Sequence, residues 1–126
     1  PMDLILVPSA FTATTGRAHW ETLLRARAIE NLAWVIAPAQ GGKHASGRQT
    51  HGHSMIVDPW GKVVAELPGD PGVVLADIDP AFQAKMRASL PALEHRSQYN
   101  EIVQMSGALP WIVGDVHITG GHACGR

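Results

Sequence analysis

Seven histidines are the groups best suited to chemistry in this chain, and three of them, His44, His51 and His53, fall close together. On a strand His51 and His53 would point to the same side, as in a zinc half-site. No carboxylate or Cys within that loop completes a ligand set, so a metal is not expected. Lys43 and His44 follow Gly41-Gly42 and either meet an acidic group of a ligand or stand as solvated surface. His19 lies at the start of a predicted helix. The helix dipole there favours anions, so a neutral, hydrogen-bonded ring is expected. His117, His122 and Cys124 could form a dyad or a metal site on paper. The flexible Gly120-Gly121 beside them argues against a preorganised catalytic group.

These residues need a scaffold, and the stretch GRAHWETLLRARAIEN, residues 16–31, is its centre. Trp20, Leu24 and Ala28 recur at i, i+4 and i+8 with Leu23 beside them, which predicts an apolar stripe against a core. Glu21 precedes Arg25 in the favourable order for a helical ion pair. Arg27, three residues before Glu30, is either an Arg snorkelling at the helix edge or one half of a buried Arg–Glu pair. Thr15 is the expected N-cap and Asn31 the expected left-handed stop. Leu4-Ile5-Leu6-Val7 and Trp34-Val35-Ile36-Ala37 flank the helix. Each is a short apolar run closed by Pro, as strands buried on both faces are. Strand, helix and strand predict a βαβ unit with parallel strands and a right-handed crossover.

Ser9-Ala10-Phe11-Thr12 leave the first strand at its carboxyl end, where ligands gather in open α/β layers. Their small side chains leave room, and Phe11 offers an apolar wall. Residues 43–52 are polar and read as an exposed loop. Asp58-Pro59-Trp60-Gly61 has the residues of a type I turn and predicts a hairpin of 53–58 with 62–67. Val73 to Ile78 reads as a further strand. Asp79-Pro80 opens a helix to about Leu90, with Phe82, Met86 and Leu90 on one face.

The blocks PSAFTATTGRAHWETLLRARAIEN, APAQGGKH, GHSMIVDPWGKVVAE and ADIDP resemble the nitrilase superfamily of carbon–nitrogen hydrolases. The likeness is to the branch of amidases acting on deaminated glutathione and similar ω-amides. It runs from about Asp3 to Arg96. It implies an α/β fold: half of an α-β-β-α sandwich, a mixed sheet with helices on one face. Residues 1–96 would be the C-terminal part of a hydrolase domain. Residues 97–126 would be a tail of the kind family members use in subunit contact. Family members act through a Glu, a Lys and a nucleophilic Cys, and no position here matches any of the three; Lys43 is not that Lys. The chain, which opens on Pro1, therefore reads as the C-terminal half of an amidase, inactive alone. The resemblance assigns the pocket wall to Ser9, Ala10, Phe11 and Thr12. It implies no cofactor and no metal.

Composition fits this picture. The formal net charge is −1, from 10 basic and 11 acidic residues, which suggests neither a nucleic-acid nor a membrane partner. No apolar run approaches the ~20 residues that span a bilayer. A single Cys suits a reducing compartment, and with no leader pattern visible a cytoplasmic location is expected. A small amide is the expected ligand. The expected protein partner is a second copy or the N-terminal half. Two other classes stay open: a non-catalytic binding or assembly module, and a metal-dependent hydrolase built on the histidines.

Overall fold

The computed structural model describes residues 1–94. His117, His122, Cys124 and the tail lie outside the described residues. The element order is β1 (Leu4–Leu6), α1 (Ala13–Asn31), β2 (Trp34–Ala37), β3 (Gly41–Lys43), β4 (Gln49–His51), β5 (Ser54–Val57), β6 (Val63–Leu67) and α2 (Pro80–Ser89).

Four strands form a mixed sheet in the order β1-β2-β5-β6. β1 and β2 are parallel, with Ile5 opposite Val35, and α1 is the crossover between them. β5 runs antiparallel to both β2 and β6. Side chains alternate between the faces. Val35, Ala37, Met55 and Val57 meet Trp20, Leu24 and Ala28 of α1 in the core, with Ile5, Val7 and Val63 at its border. The opposite face is only partly covered. Leu6 is 64% exposed there.

Helix α1 reaches this core through a ladder four residues apart: Gly16, Trp20, Leu24, Ala28 and Leu32 are all buried. Leu23 belongs to the other side and is exposed, correcting its expected place beside the stripe. The stripe is narrower than expected because the sheet is met along one line of the helix. The N-cap is Thr12, not Thr15. Thr12 Oγ1 accepts from the Thr15 N–H at 3.3 Å, so the helix begins earlier than its apolar periodicity does. The left-handed stop is Leu32 at φ 44°, one residue beyond Asn31. Leu rarely adopts this conformation. Its side chain is fully buried, and that burial offsets the backbone cost. Arg27 and Glu30 pair at 2.7 Å with both side chains about half exposed, so the pair forms but is not buried.

The β5–β6 hairpin follows its sequence closely. Gly61 N–H donates to the Asp58 carbonyl at 2.9 Å, and Asp58 Oδ1 accepts from the Trp60 and Lys62 N–H groups. Gly61 sits at φ 86°, where a side chain would be strained. Arg25 Nε donates to the Gly61 carbonyl at 2.7 Å and ties α1 to the turn.

Two further expectations fail. Residues 73–78 form no strand: half-buried Val74 and Ala76 alternate with exposed neighbours, and Val73 and Leu75 are 82% and 84% exposed. The strand-like alternation is present, but the segment pairs with no sheet edge. In α2 the buried residue is Gln83, not an apolar one. Its Nε2 donates to the carbonyls of Asp3 and Leu32, both at 2.9 Å. Arg87 adds bonds to the Met2 and Leu32 carbonyls and an ion pair to Asp3 at 2.6 Å. Phe82 and Met86 are half-buried and Leu90 is exposed. A polar clasp therefore holds α2 to the start of β1 and the end of α1. Asp79 caps the helix as expected, accepting from the Ala81 and Phe82 N–H groups.

Candidate active-site cleft

The carboxyl ends of the two parallel strands stay joined beyond β1 and β2. Ser9 N–H donates to the Pro38 carbonyl at 3.0 Å, and Gln40 N–H donates back to the Ser9 carbonyl at 2.9 Å. Ser54 completes the seam, its Oγ accepting from the Ala39 N–H at 2.9 Å. Beside this seam lies an open cavity of about 580 Å³ lined by Pro8, Ser9, Ala10, Pro38, Ala39, Gln40 and Ser54. It adjoins a second, of about 480 Å³, which shares Ala39, Gln40 and Ser54 and extends past His44 and His53 to Asp70. Both stand at the strand ends where α/β sheets take ligands.

The four expected wall residues divide. Ser9 and Ala10 line the cleft. The Phe11 ring lies on Trp20, with centroids 5.1 Å apart and planes tilted by 56°. Thr12 is occupied as the helix cap and bridges to Thr50. Phe11 and Thr12 thus set the path of the loop that presents Ser9 and Ala10.

Residues 43–52 are not the plain exposed loop that their polarity suggests. β3 and β4 pair as a small antiparallel hairpin, and Thr50 within it is buried. The hairpin is stitched to the wall loop. His51 N–H donates to the Phe11 carbonyl at 3.0 Å, and Arg48 Nη2 donates to the Ala10 carbonyl at 2.9 Å. His44 is half-buried, bonds Thr50 Oγ1 through Nε2 at 2.8 Å and faces the second cavity. Lys43 is exposed.

His51 and His53 do come together, though not as strand neighbours. β4 ends at His51, and Gly52 and His53 both take positive φ, 73° and 60°. The kink stacks the two rings with centroids 4.1 Å apart and planes 19° from parallel. His53 Nδ1 meets Glu66 Oε1 at 2.5 Å, and the His53 carbonyl accepts from Trp20 Nε1 at 2.7 Å. The His51 ring packs on Gly16 of α1. Burial lowers its pKa below the ordinary imidazole value, and His53 and Arg17 push the same way against a smaller pull from Glu66. Among the described residues no group of three or more His, Cys, Asp or Glu is placed to hold a metal ion. The stacked pair instead pins the hairpin to the helix. His19 is exposed on α1 and takes no part, contrary to the expected hydrogen-bonded ring.

Gln40, Ser54 and Asp70 are the cleft residues that the sequence left unmarked, and Arg48 is an unmarked neighbour bonded to the wall loop. Gln40 and Ser54 stood within motif blocks and could have been singled out. Arg48 could not, because its contact is to a backbone carbonyl remote in sequence.

A family model described as carbon–nitrogen hydrolase matches residues 2–88, a span that includes every cleft residue named above. The deaminated glutathione amidase of Synechocystis is 52% identical over 94 residues, covering 75% of this chain and 35% of that protein. The mouse deaminated glutathione amidase is 54% identical over the same length, covering 75% of this chain and 29% of that one. Among solved structures, the C. elegans NitFhit protein superposes with a TM-score of 0.72 at 51% identity, covering 75% of this chain and 23% of that one. The chain thus spans about a third of the length of these curated relatives.

Proposed function

The chain belongs to the carbon–nitrogen hydrolase family, and on that footing we propose that it supplies one wall of an amidase active site for small ω-amides of the deaminated-glutathione type. The observation that carries this reading is coincidence of place. The family match runs through the seam Ser9–Ala39–Gln40–Ser54, where the parallel strands end in an open cleft. In the proposed reaction a Cys thiolate attacks the amide carbonyl and ammonia leaves. Water then frees the acid from the thioester. A Glu moves the protons and a Lys stabilises the oxyanion. These three groups have no matching position in this chain and are assigned to the region of the relatives that it does not cover. Ser9 and Ala10 bound the substrate here, while Phe11 and Thr12 hold their loop in position.

The partly covered sheet face, where Leu6 is 64% exposed, supports the companion proposal, that the chain works in an assembly. An apolar sheet face is stable only against a second layer, and the family's sandwich provides one. The occupant is either a second copy or the region carrying the catalytic set.

The test is ammonia release. The chain alone should release none above blank from succinamate. Mixed with the remaining region of the Synechocystis amidase, made separately, it should yield a soluble complex that does. Turnover by the chain alone that survives Cys124→Ala would sink the assignment of catalysis elsewhere. Absence of turnover from a well-formed complex would sink the amidase reading itself.

A further inference from the structure

The stacked imidazoles of His51 and His53 take no part in the reaction proposed above, yet they stand where the cleft is held together. His53 is fixed from three sides. Its N–H donates to the Pro68 carbonyl at 2.6 Å, its carbonyl accepts from Trp20 Nε1 at 2.7 Å, and its Nδ1 meets Glu66 Oε1 at 2.5 Å. These bonds hold a non-glycine residue at φ 60°, a left-handed conformation that persists only where its surroundings enforce it. His51 belongs to the hairpin instead. It ends β4, and its ring fills the space over Gly16 of α1 so closely that a Cβ there would overlap it.

The balance of charge around the stack sets what it can do. The ring centroids are 4.1 Å apart, so a proton on each ring would place two like charges in contact. The charged groups around His51 are His53 from the kink, Arg17 from α1 and Glu66 from β6. Its neighbour on β3 is Gly41, and on the wall loop it meets the Phe11 carbonyl, neither of which carries a charge. One carboxylate balances one imidazolium. A second imidazolium would face Arg17 and the first with nothing left to balance it. Burial, His53 and Arg17 therefore all push the His51 pKa below the ordinary imidazole value, against a smaller pull from Glu66. An opened hairpin would return His51 to that ordinary value. The closed form thus keeps its full advantage above about pH 6.5 and loses it as pH falls further.

We propose that the His51–His53 stack is an acid-released latch: with both rings protonated, the β3–β4 hairpin lets go of α1 and withdraws its support from the Ser9–Ala10 wall of the cleft. Three ties carry that support. The His51 N–H donates to the Phe11 carbonyl, Thr50 bridges to Thr12, and Arg48 Nη2 donates to the Ala10 carbonyl. All three leave with the hairpin. His53 also lines the second cavity, so the same event opens that wall. The latch is a property of the folded chain and does not rest on the amidase reading; acid acts on the cleft whatever the cleft binds.

Hydrogen exchange on the full chain, read by mass spectrometry and corrected for the intrinsic pH dependence of amide exchange, tests this between about pH 7.5 and pH 5. Residues 41–53 should lose protection roughly fivefold or more on acidification, and residues 10–12 with them, while β2 and β5 keep theirs. His51→Gln removes the titrating ring and should abolish the loss. Glu66→Gln removes the balancing carboxylate and should deepen it. Hairpin protection unchanged in acid would overturn the latch. So would a loss that His51→Gln retains in full, or one shared equally by β2 and β5, which is acid unfolding of the whole core. If the His51→Gln hairpin is already unprotected at the higher pH, Glu66→Gln decides. A deeper acid loss than in the native chain upholds the latch, and an equal or smaller one refutes it.

Discussion

The two faces of the central sheet are made of the same kinds of residue and are covered to different extents. On one, Val35, Ala37, Met55 and Val57 are sealed under α1, where Leu24 is 2% exposed. On the other, Trp34 and Ile56 are buried but Leu6 stands open, and the neighbouring segment leaves Val73 and Leu75 in solvent. Leu, Ile and Val alone do not say which face is core. A ladder of contacts four residues apart on a helix does, because it needs a surface of matching shape. The comparison teaches that one side of this sheet is sealed by α1 while the other is covered only in part.

The largest expected effect breaks the sealed side. Leu24→Ala should cost about 2–5 kcal/mol in chemical denaturation, the range for emptying a packed core site. A change within about 0.5 kcal/mol, as surface substitutions give, would mean the α1 face is not core. A smaller loss probes where that side ends. A Cβ on Gly16 would overlap the His51 side chain, so Gly16→Ala should cost about 1–3 kcal/mol by overpacking. If Gly16→Ala proved neutral, the hairpin would move freely of the helix and the sealed region would stop at Trp20. The smallest effect belongs to the open side. Leu6→Ser should change stability by no more than about 0.5 kcal/mol. If the assembly proposed above uses this face, Leu6→Ser should also lower the apparent mass in light scattering. A well-behaved monomer before and after that change would leave the open face without a partner to explain it.

Much of this was legible in the residues. The Trp20–Leu24–Ala28 spacing located α1, the two Pro-closed apolar runs located β1 and β2, and Asp58 and Asp79 announced a turn and a cap whose bonds are local. Local bonds can be read from local sequence. The β3–β4 hairpin could not be, since Gly-Gly-Lys and Gln-Thr-His have little strand propensity of their own. Their pairing is held by Phe11, Thr12 and Ala10, far upstream. The Gln83 clasp was hidden for the same reason: its acceptors are carbonyls of Asp3 and Leu32. A strand at 73–78 has the right alternation and no edge to pair with. Of the candidate site, the place of Ser9 and Ala10 at a strand end was legible. Arg48, by contrast, meets Ala10 only when the hairpin folds back.

β2 pairs in parallel with β1 on one side and antiparallel with β5 on the other, and that asymmetry also has a meaning in time. β5 and β6 are joined by the short turn at Asp58–Gly61, so their encounter closes a small loop. β1 and β2 must close a loop several times longer, and each doubling of a flexible loop adds about 0.6 kcal/mol of entropic cost. The 19 residues of α1 fill most of that loop. Once helical, they form a rod rather than a coil, and few loose residues remain to be ordered at either end. α1 is therefore both the cover of the core and the device that shortens the search by which its parallel strands find each other.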